Sequence, residues 1–184
     1  MKVDNVLVQA GKGFIFLSLF GFLVTSDATA APDHDFIGAS KCAICHKKPE
    51  QGEQFVLWQK SMHAKAFETL GTPEAKATAA KLGIDDPQTS GKCLKCHSTA
   101  YGFSEAKISD AIPVEEGVSC ESCHGPGKDY MKKSVMEDRE AAIEAGLVIP
   151  NESTCQKCHN QENPNFKPFD YNERWEKIKH PIPK

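Results

Sequence analysis

All eight cysteines of this chain lie in four copies of one motif, Cys-x-x-Cys-His. The copies are CAICH at 42–46, CLKCH at 93–97, CESCH at 120–124 and CQKCH at 155–159. Cysteine pairs at this spacing also occur in disulfides, zinc sites and redox dithiols. The histidine after every pair favours a different chemistry, because four of only seven histidines occupy this place and the order is typical of covalent haem attachment.

The order of residues in the motif has a direct chemical reason. Each cysteine pair would form thioether bonds with the vinyl groups of one haem, and the adjacent histidine would bind the iron from one face. We therefore predict four covalently attached haem c groups. The attaching residues are Cys42, Cys45, Cys93, Cys96, Cys120, Cys123, Cys155 and Cys158. The iron ligands are His46, His97, His124 and His159.

The haems also bear on the fold class. Branched and aromatic residues are sparse after residue 30, so the polypeptide alone would build only a small apolar core. Four porphyrins would supply that interior, one for every ~38 residues of 31–184. We predict a mainly α fold with extensive loops and a haem-packed core. Helices are predicted at 49–71, 73–83, 134–146, 151–160 and 170–180.

The first 30 residues resemble a targeting segment. Lys2 and Lys12 precede or flank an apolar run at 13–24, which is short for a membrane span, and small residues follow at 28–30. We predict a signal peptide at 1–30 and a tetrahaem cytochrome c domain at 31–184, in the periplasm or outside the cell, with no stable membrane span after cleavage. A retained membrane anchor is the alternative.

Basic residues form no long cluster and the net charge is −3, so we expect no nucleic-acid partner.

Three histidines lie outside the motifs: His34, His63 and His180. Each is a candidate for the second protein ligand of an iron. Three residues cannot complete four irons within one chain. At least one iron would therefore be five-coordinate, bound to water, bound to Met131 or Met136, or bound to a residue of a neighbouring chain.

Several stretches together resemble the cytochrome c-554 family of tetrahaem electron carriers. They are the early CAICH, SMHAKAF at 61–67, GVSCESCHGPG at 117–127, and a fourth motif followed by an aromatic-rich tail. The resemblance implies a mostly helical fold with closely stacked haem pairs. In GPG, two glycines would let the backbone pass close to a porphyrin, and the alternative is a simple helix stop.

The resemblance also implies ligand pairings. His63 would bind the haem of Cys155 and Cys158, and His180 that of Cys120 and Cys123. The haem of Cys93 and Cys96 would match the family's open position. The chain departs from the family at 125–158, which contain no histidine. The second ligand of the Cys42/Cys45 haem therefore stays open, with His34 and a neighbouring chain as candidates.

From these features we predict an exported tetrahaem cytochrome that passes single electrons between redox partner proteins. Two other functions are possible for such a chain. One is a reductase of a small molecule such as nitric oxide at a five-coordinate haem, although 154 residues leave little room for an enclosed pocket. The other is a subunit of an extracellular haem filament, with His34 reaching a neighbouring iron. No catalytic residue is assigned, and an electron carrier is favoured over an enzyme.

Overall fold

The computed structural model describes residues 35–101 and 112–181. The predicted signal peptide at 1–30 and the candidate ligand His34 lie outside these residues. Within them the secondary structure is entirely helical, with no strand, so the predicted mainly α class is confirmed. The α-helices are α1 (Ala39–His46), α2 (Gln54–Gln59), α3 (Ala66–Leu70), α4 (Pro73–Lys81), α5 (Gly91–His97), α6 (Cys120–His124), α7 (Lys133–Met136), α8 (Arg139–Glu144), α9 (Glu152–Gln156) and α10 (Tyr171–Ile178). Short 3₁₀ helices occupy Pro49–Gln51, Thr99–Tyr101 and Val114–Glu116.

Local capping explains the helices that the sequence predicted best. Thr72 caps α4 by accepting a hydrogen bond from the backbone of Ala75 at 3.2 Å, and Pro73 occupies the first turn. Asp170 caps α10 by accepting from the backbone of Glu173 at 2.9 Å. These side chains satisfy backbone donors that a helix start leaves unpaired. Both helices therefore begin close to their predicted positions.

Two predicted helices are interrupted. The single helix expected at 49–71 is wrong: it is divided into a 3₁₀ turn, α2 and α3. Gly52 and Glu53 have φ values of 93° and 54°, and this left-handed backbone stops the first segment. A second interruption at 60–65 leaves His63 in the turn between α2 and α3 and not within a helix. The helix expected at 134–146 is likewise divided between α7 and α8.

The apolar core that the polypeptide itself provides is small. One buried cluster joins Phe36, Ala100 and Ile112. The other buried apolar positions are mainly alanines, and the largest fully buried side chains include Glu121 and Thr99, which are polar. The described residues thus bury few of the large apolar side chains that usually stabilise a domain.

Nothing in 35–101 or 112–181 resembles a membrane span: the helices there are too short and too polar to cross a bilayer. The apolar run at 13–24 is outside these ranges.

Candidate haem sites

The first three motifs each end a helix. α1, α5 and α6 finish at His46, His97 and His124 respectively. Residues three apart lie on the same side of a helix, so the two cysteines of each motif are neighbours on one surface. The fourth motif differs, because α9 ends inside it and His159 lies in the turn that follows.

Three of the four motif histidines have a fixed ring orientation. In each, Nδ1 lies within hydrogen-bonding distance of an oxygen acceptor. The distances are 2.8 Å for His97 and the Ala66 carbonyl, 3.1 Å for His124 and the Val148 carbonyl, and 3.1 Å for His46 and Gln54 Oε1. A carbonyl oxygen only accepts, so Nδ1 holds the proton and Nε2 keeps a free lone pair. This is the arrangement of histidines that bind metals through Nε2.

The fourth motif histidine is oriented by stacking. The ring of His159 lies against Phe169, with ring centres 4.8 Å apart and planes inclined by 22°. Offset stacking of this kind restricts rotation of both rings.

The structure brings two of the other histidines next to motif histidines. The ring centres of His63 and His159 are 6.1 Å apart, and those of His124 and His180 are 5.9 Å apart. These are the two pairings that the resemblance implies. Two imidazoles on opposite faces of one metal, each at a bond length of about 2 Å, would have ring centres about 6 Å apart. Both pairs therefore match the separation that a shared iron requires.

The turn that holds His63 is fixed by the segment before the third motif. The backbone N–H of Val118 donates to the His63 carbonyl at 3.0 Å. Trp58 Nε1 donates to the Val118 carbonyl at 2.8 Å. SMHAKAF and GVSCESCHGPG, which are distant in sequence, are thus in direct contact.

Burial also prepares these histidines for a metal. It lowers the pKa of His63, and the positive charge of His159 adds to that shift. Burial likewise lowers the pKa of His124, partly offset by the hydrogen bond to Val148. A lower pKa favours the neutral imidazole, which is the form that binds a metal.

The cysteines are unpaired by disulfides: all eight are free thiols. No three His, Cys, Asp or Glu side chains converge as a metal site in the described residues. Thiols of different motifs nevertheless lie together. Cys42 interacts with Cys120, and Cys96 with Cys158. The first motif therefore adjoins the third, and the second adjoins the fourth.

His46 and His97 have no such ring partner among the described residues. The methionine candidates lie in the segment after the third motif, where Met131 is 40% exposed and Met136 is half-buried. His34 lies outside the described residues. The structure thus brings together two of the ligand pairs named from the sequence and leaves the others unassigned.

Sequence reasoning missed Glu121, which lies between the cysteines of the third motif. Its side chain is fully buried. It accepts hydrogen bonds from the backbone N–H groups of Ile37 at 3.0 Å, Gly38 at 2.8 Å and Gly127 at 2.6 Å. Burial raises the pKa of this carboxyl, and the three donors partly offset the shift. The carboxylate therefore joins the segment before the first motif to the loop after the third.

The GPG segment has a role in polypeptide packing. Gly125 ends α6 with φ of 76°, and a Cβ there would lie 3.0 Å from the Gly146 carbonyl oxygen. A Cβ at Gly127 would lie 2.8 Å from Ile37 Cδ1. Close approach of protein atoms thus accounts for both glycines, while contact with a porphyrin stays a prediction.

Comparison with known proteins agrees with these features. The sequence profile of the family described as Cytochrome c554 and c-prime matches residues 41–125, which contain the first three motifs. A curated protein from Nitrosomonas europaea named Cytochrome c-554 is 33% identical over 154 residues. The match covers 75% of this chain and 63% of the relative, so the chain spans less than two thirds of that protein's length. No solved structure gives a significant match.

The donor set fits the cofactor that such a family implies. A c-type cytochrome carries covalently bound haem c, which needs thiols for attachment and a neutral imidazole for iron. The chain offers free thiols in every motif and imidazoles with a fixed tautomer in three of them. On its motifs, its helical fold and these matches, the chain belongs to the cytochrome c-554 family of c-type cytochromes.

Proposed function

We propose that this protein is an exported electron carrier with four haem c groups. The observation that carries the proposal is the separation of 6.1 Å and 5.9 Å within two histidine ring pairs from distant parts of the chain. Disulfide chemistry gives no reason for a second histidine beside a motif histidine. A Cys₂His₂ zinc site would use two histidines, but it would also need cysteines to converge with them, and no three such side chains converge in the described residues. A haem iron that bound both histidines would explain the pairs.

Each residue type has a defined task in this proposal. Haem c, when bound, supplies one-electron chemistry at iron. The eight motif cysteines attach the four groups, and the four motif histidines each bind one iron. His63 is the second ligand at the fourth motif and His180 at the third. Paired imidazoles favour low reduction potentials, which suits an electron carrier.

Contacts between motifs support a route for electrons within the chain. The Cys42–Cys120 and Cys96–Cys158 contacts bring together thiols that would attach different haems in this proposal. The thiol of Cys123 also lies near that of Cys155, which links the third motif to the fourth. In this proposal all four sites form one connected series.

Location and partners extend the same proposal. Cytochrome c-554 family membership and the predicted signal peptide at 1–30 support a periplasmic or extracellular location. The partners would be other redox proteins that bind briefly, as is usual for small electron-transfer interfaces. A net charge of −3, with haem propionates added, favours partners that present a basic surface.

A second function would use His97, at the haem that the resemblance matches to the family's open position. Its Nδ1 is bound to the Ala66 carbonyl, and no second imidazole pairs with it in the described residues. An iron held there would keep a free coordination position for a small molecule such as nitric oxide. Reduction of that ligand would make the protein an enzyme.

Low-temperature EPR of the oxidised, haem-loaded protein tests the proposal. We expect at least two low-spin signals from the sites of His63 and His180, and a high-spin signal that nitric oxide alters. Fewer than two low-spin haems would contradict the ligand pairs. Four low-spin haems in a monomer would exclude the open position and hence the second function.

A further inference from the structure

Gln54 contacts groups that belong to two different haem sites. Its Oε1 lies 3.1 Å from Nδ1 of His46, the iron ligand of the first motif. Its Nε2 donates to the carbonyl of Pro181 at 2.8 Å and to the carbonyl of Gln51. The side chain is 8% exposed, so water competes little for these bonds.

The carbonyl of Pro181 is significant because the preceding residue is His180. The His180 ring lies 5.9 Å from that of His124, and the Pro181 carbonyl also interacts with the His180 ring. α10 ends at Ile178, so these residues lie beyond its helical hydrogen bonds. The amide of Gln54 therefore holds the stretch of chain that positions His180.

The backbone around Gln54 is shaped to receive this stretch. Gly52 has φ of 93°, and a Cβ there would lie 2.9 Å from Gln54 Nε2 and 3.2 Å from Pro181 Cβ. A side chain at Gly52 would separate the two contacting segments. The turn at Gly52 and the Gln54 amide thus together form the surface that contacts Pro181.

Both the oxygen and the nitrogen of the Gln54 amide are needed for these contacts. Nε2 faces two carbonyls and must donate, so Oε1 is the atom that accepts from His46. Glutamate would keep the acceptor and lose the donor, leucine would lose both, and asparagine is one methylene shorter. Of these four residues, only glutamine can both accept from His46 and donate to the Pro181 carbonyl.

We propose that Gln54 is a positioning residue that fixes two iron ligands at once: His46 at the first haem and His180 at the third. The inference rests on the proposed function, because it takes both histidines as iron ligands. At His46 the hydrogen bond sets how strongly the imidazole donates to its metal. At His180 it holds the second ligand in place.

The test compares Gln54→Leu, Gln54→Glu and His180→Ala in the haem-loaded protein. We expect Gln54→Leu and Gln54→Glu to lose part of the low-spin EPR signal that His180→Ala removes, because neither can donate to the Pro181 carbonyl. Gln51→Leu is the matched control, since it removes an amide from the same turn and should leave the spectrum unchanged. If Gln54→Leu fails to load four haems, Gln54→Glu, which has the native length, decides the result.

A second measurement isolates the contact with His46. In a His180→Ala background the third haem has already lost its proposed second ligand, so the remaining difference between Gln54 and the equally uncharged Gln54→Leu comes from the first haem. We expect one reduction potential to be higher with Gln54→Leu, because the His46 imidazole loses its hydrogen-bond acceptor and becomes a weaker donor to iron. A role confined to packing would leave the potentials equal.

The outcomes separate this inference from the function beneath it. If His180→Ala removes no low-spin signal, the proposed ligand pairs fail. If His180→Ala removes it but both Gln54 variants keep the wild-type spectrum and potentials, only the role of Gln54 is overturned.

Discussion

The histidine rings show how single residues are prepared for their task. A side chain that can bind iron must present one nitrogen and engage the other. His46, His97 and His124 do so through three unrelated acceptors. Their roles were predictable from the motifs alone, whereas the acceptors were not, because each comes from a different part of the chain.

Replacing His63 tests a ligand that lies outside the motifs. His63→Ala should convert one low-spin haem to high spin, because no described side chain takes its place opposite His159. Added imidazole should restore the low-spin signal by filling the vacated position. EPR and visible spectra measure both steps. An unchanged count of low-spin haems in the variant would show that His63 is not a ligand.

Glu121 has a structural role that its sequence pattern does not indicate. A glutamate inside a motif is normally an exposed charge, yet this one is fully buried and accepts from three backbone donors. The donors come from residues 37, 38 and 127, so only long-range packing defines the role. Its position between two cysteines was the single available signal.

Removing the Glu121 carboxylate should weaken the fold. Glu121→Ala would leave three buried N–H groups without an acceptor, at about 1–3 kcal/mol each, so we expect a loss of about 3 kcal/mol or more. Glu121→Gln keeps the length and one acceptor oxygen, and should lose less. Urea unfolding of the haem-loaded proteins, followed by circular dichroism, measures both. Equal stability of Glu121→Ala and wild type would contradict the anchoring role.

At the scale of elements, the helices predicted most accurately are those whose start signals lie in the adjacent sequence. Thr72 with Pro73, and Asp170, are local start signals, and α4 and α10 begin where these predict. The break between the 3₁₀ turn and α2 depends on left-handed backbone at 52–53, against which Pro181 packs. The turn between α2 and α3 is instead contacted by Val118, whose N–H donates to the His63 carbonyl. Local rules therefore located helices but not the bends that distant segments impose.

The end of α6 offers a test of this packing. Gly125→Ala should cost more stability than Gly83→Ala. Both glycines have positive φ, of 76° and 67°, but a ψ of 171° puts Gly125 in a region that is almost exclusive to glycine, where an alanine costs about 1–3 kcal/mol. Only at Gly125 would the added Cβ also meet an atom, the Gly146 oxygen at 3.0 Å, since nothing lies within 4 Å at Gly83. Chemical unfolding compares the two; equal losses would show that neither this backbone conformation nor the contact matters.

At the scale of the whole molecule, the small apolar core is the main physical constraint. In the described residues the buried apolar side chains are one three-residue cluster, several alanines and a few larger residues such as Ile37, Leu70 and Leu94. These are too little to offset the conformational entropy of so long a chain. The composition predicted this shortage, and the described residues show it. The proposed haems would supply the missing apolar volume.

It follows that folding should depend on the cofactor. A variant with all eight motif cysteines changed to alanine should show little helical circular dichroism and rapid digestion by protease. Changing only Cys155 and Cys158 provides the comparison, because three sites would remain and most of the helix should persist. A cysteine-free variant that unfolds cooperatively and resists protease would show that the polypeptide folds by itself.

The most direct test of the central claim is the intact mass of the mature protein under denaturing conditions. Only covalently attached groups survive that treatment. We predict the mass of residues 31–184 plus four haem groups, with one removed by each change of a motif's cysteine pair to alanine. A mass equal to the bare polypeptide, or to fewer than four haems when made with complete cytochrome assembly machinery, would contradict the claim.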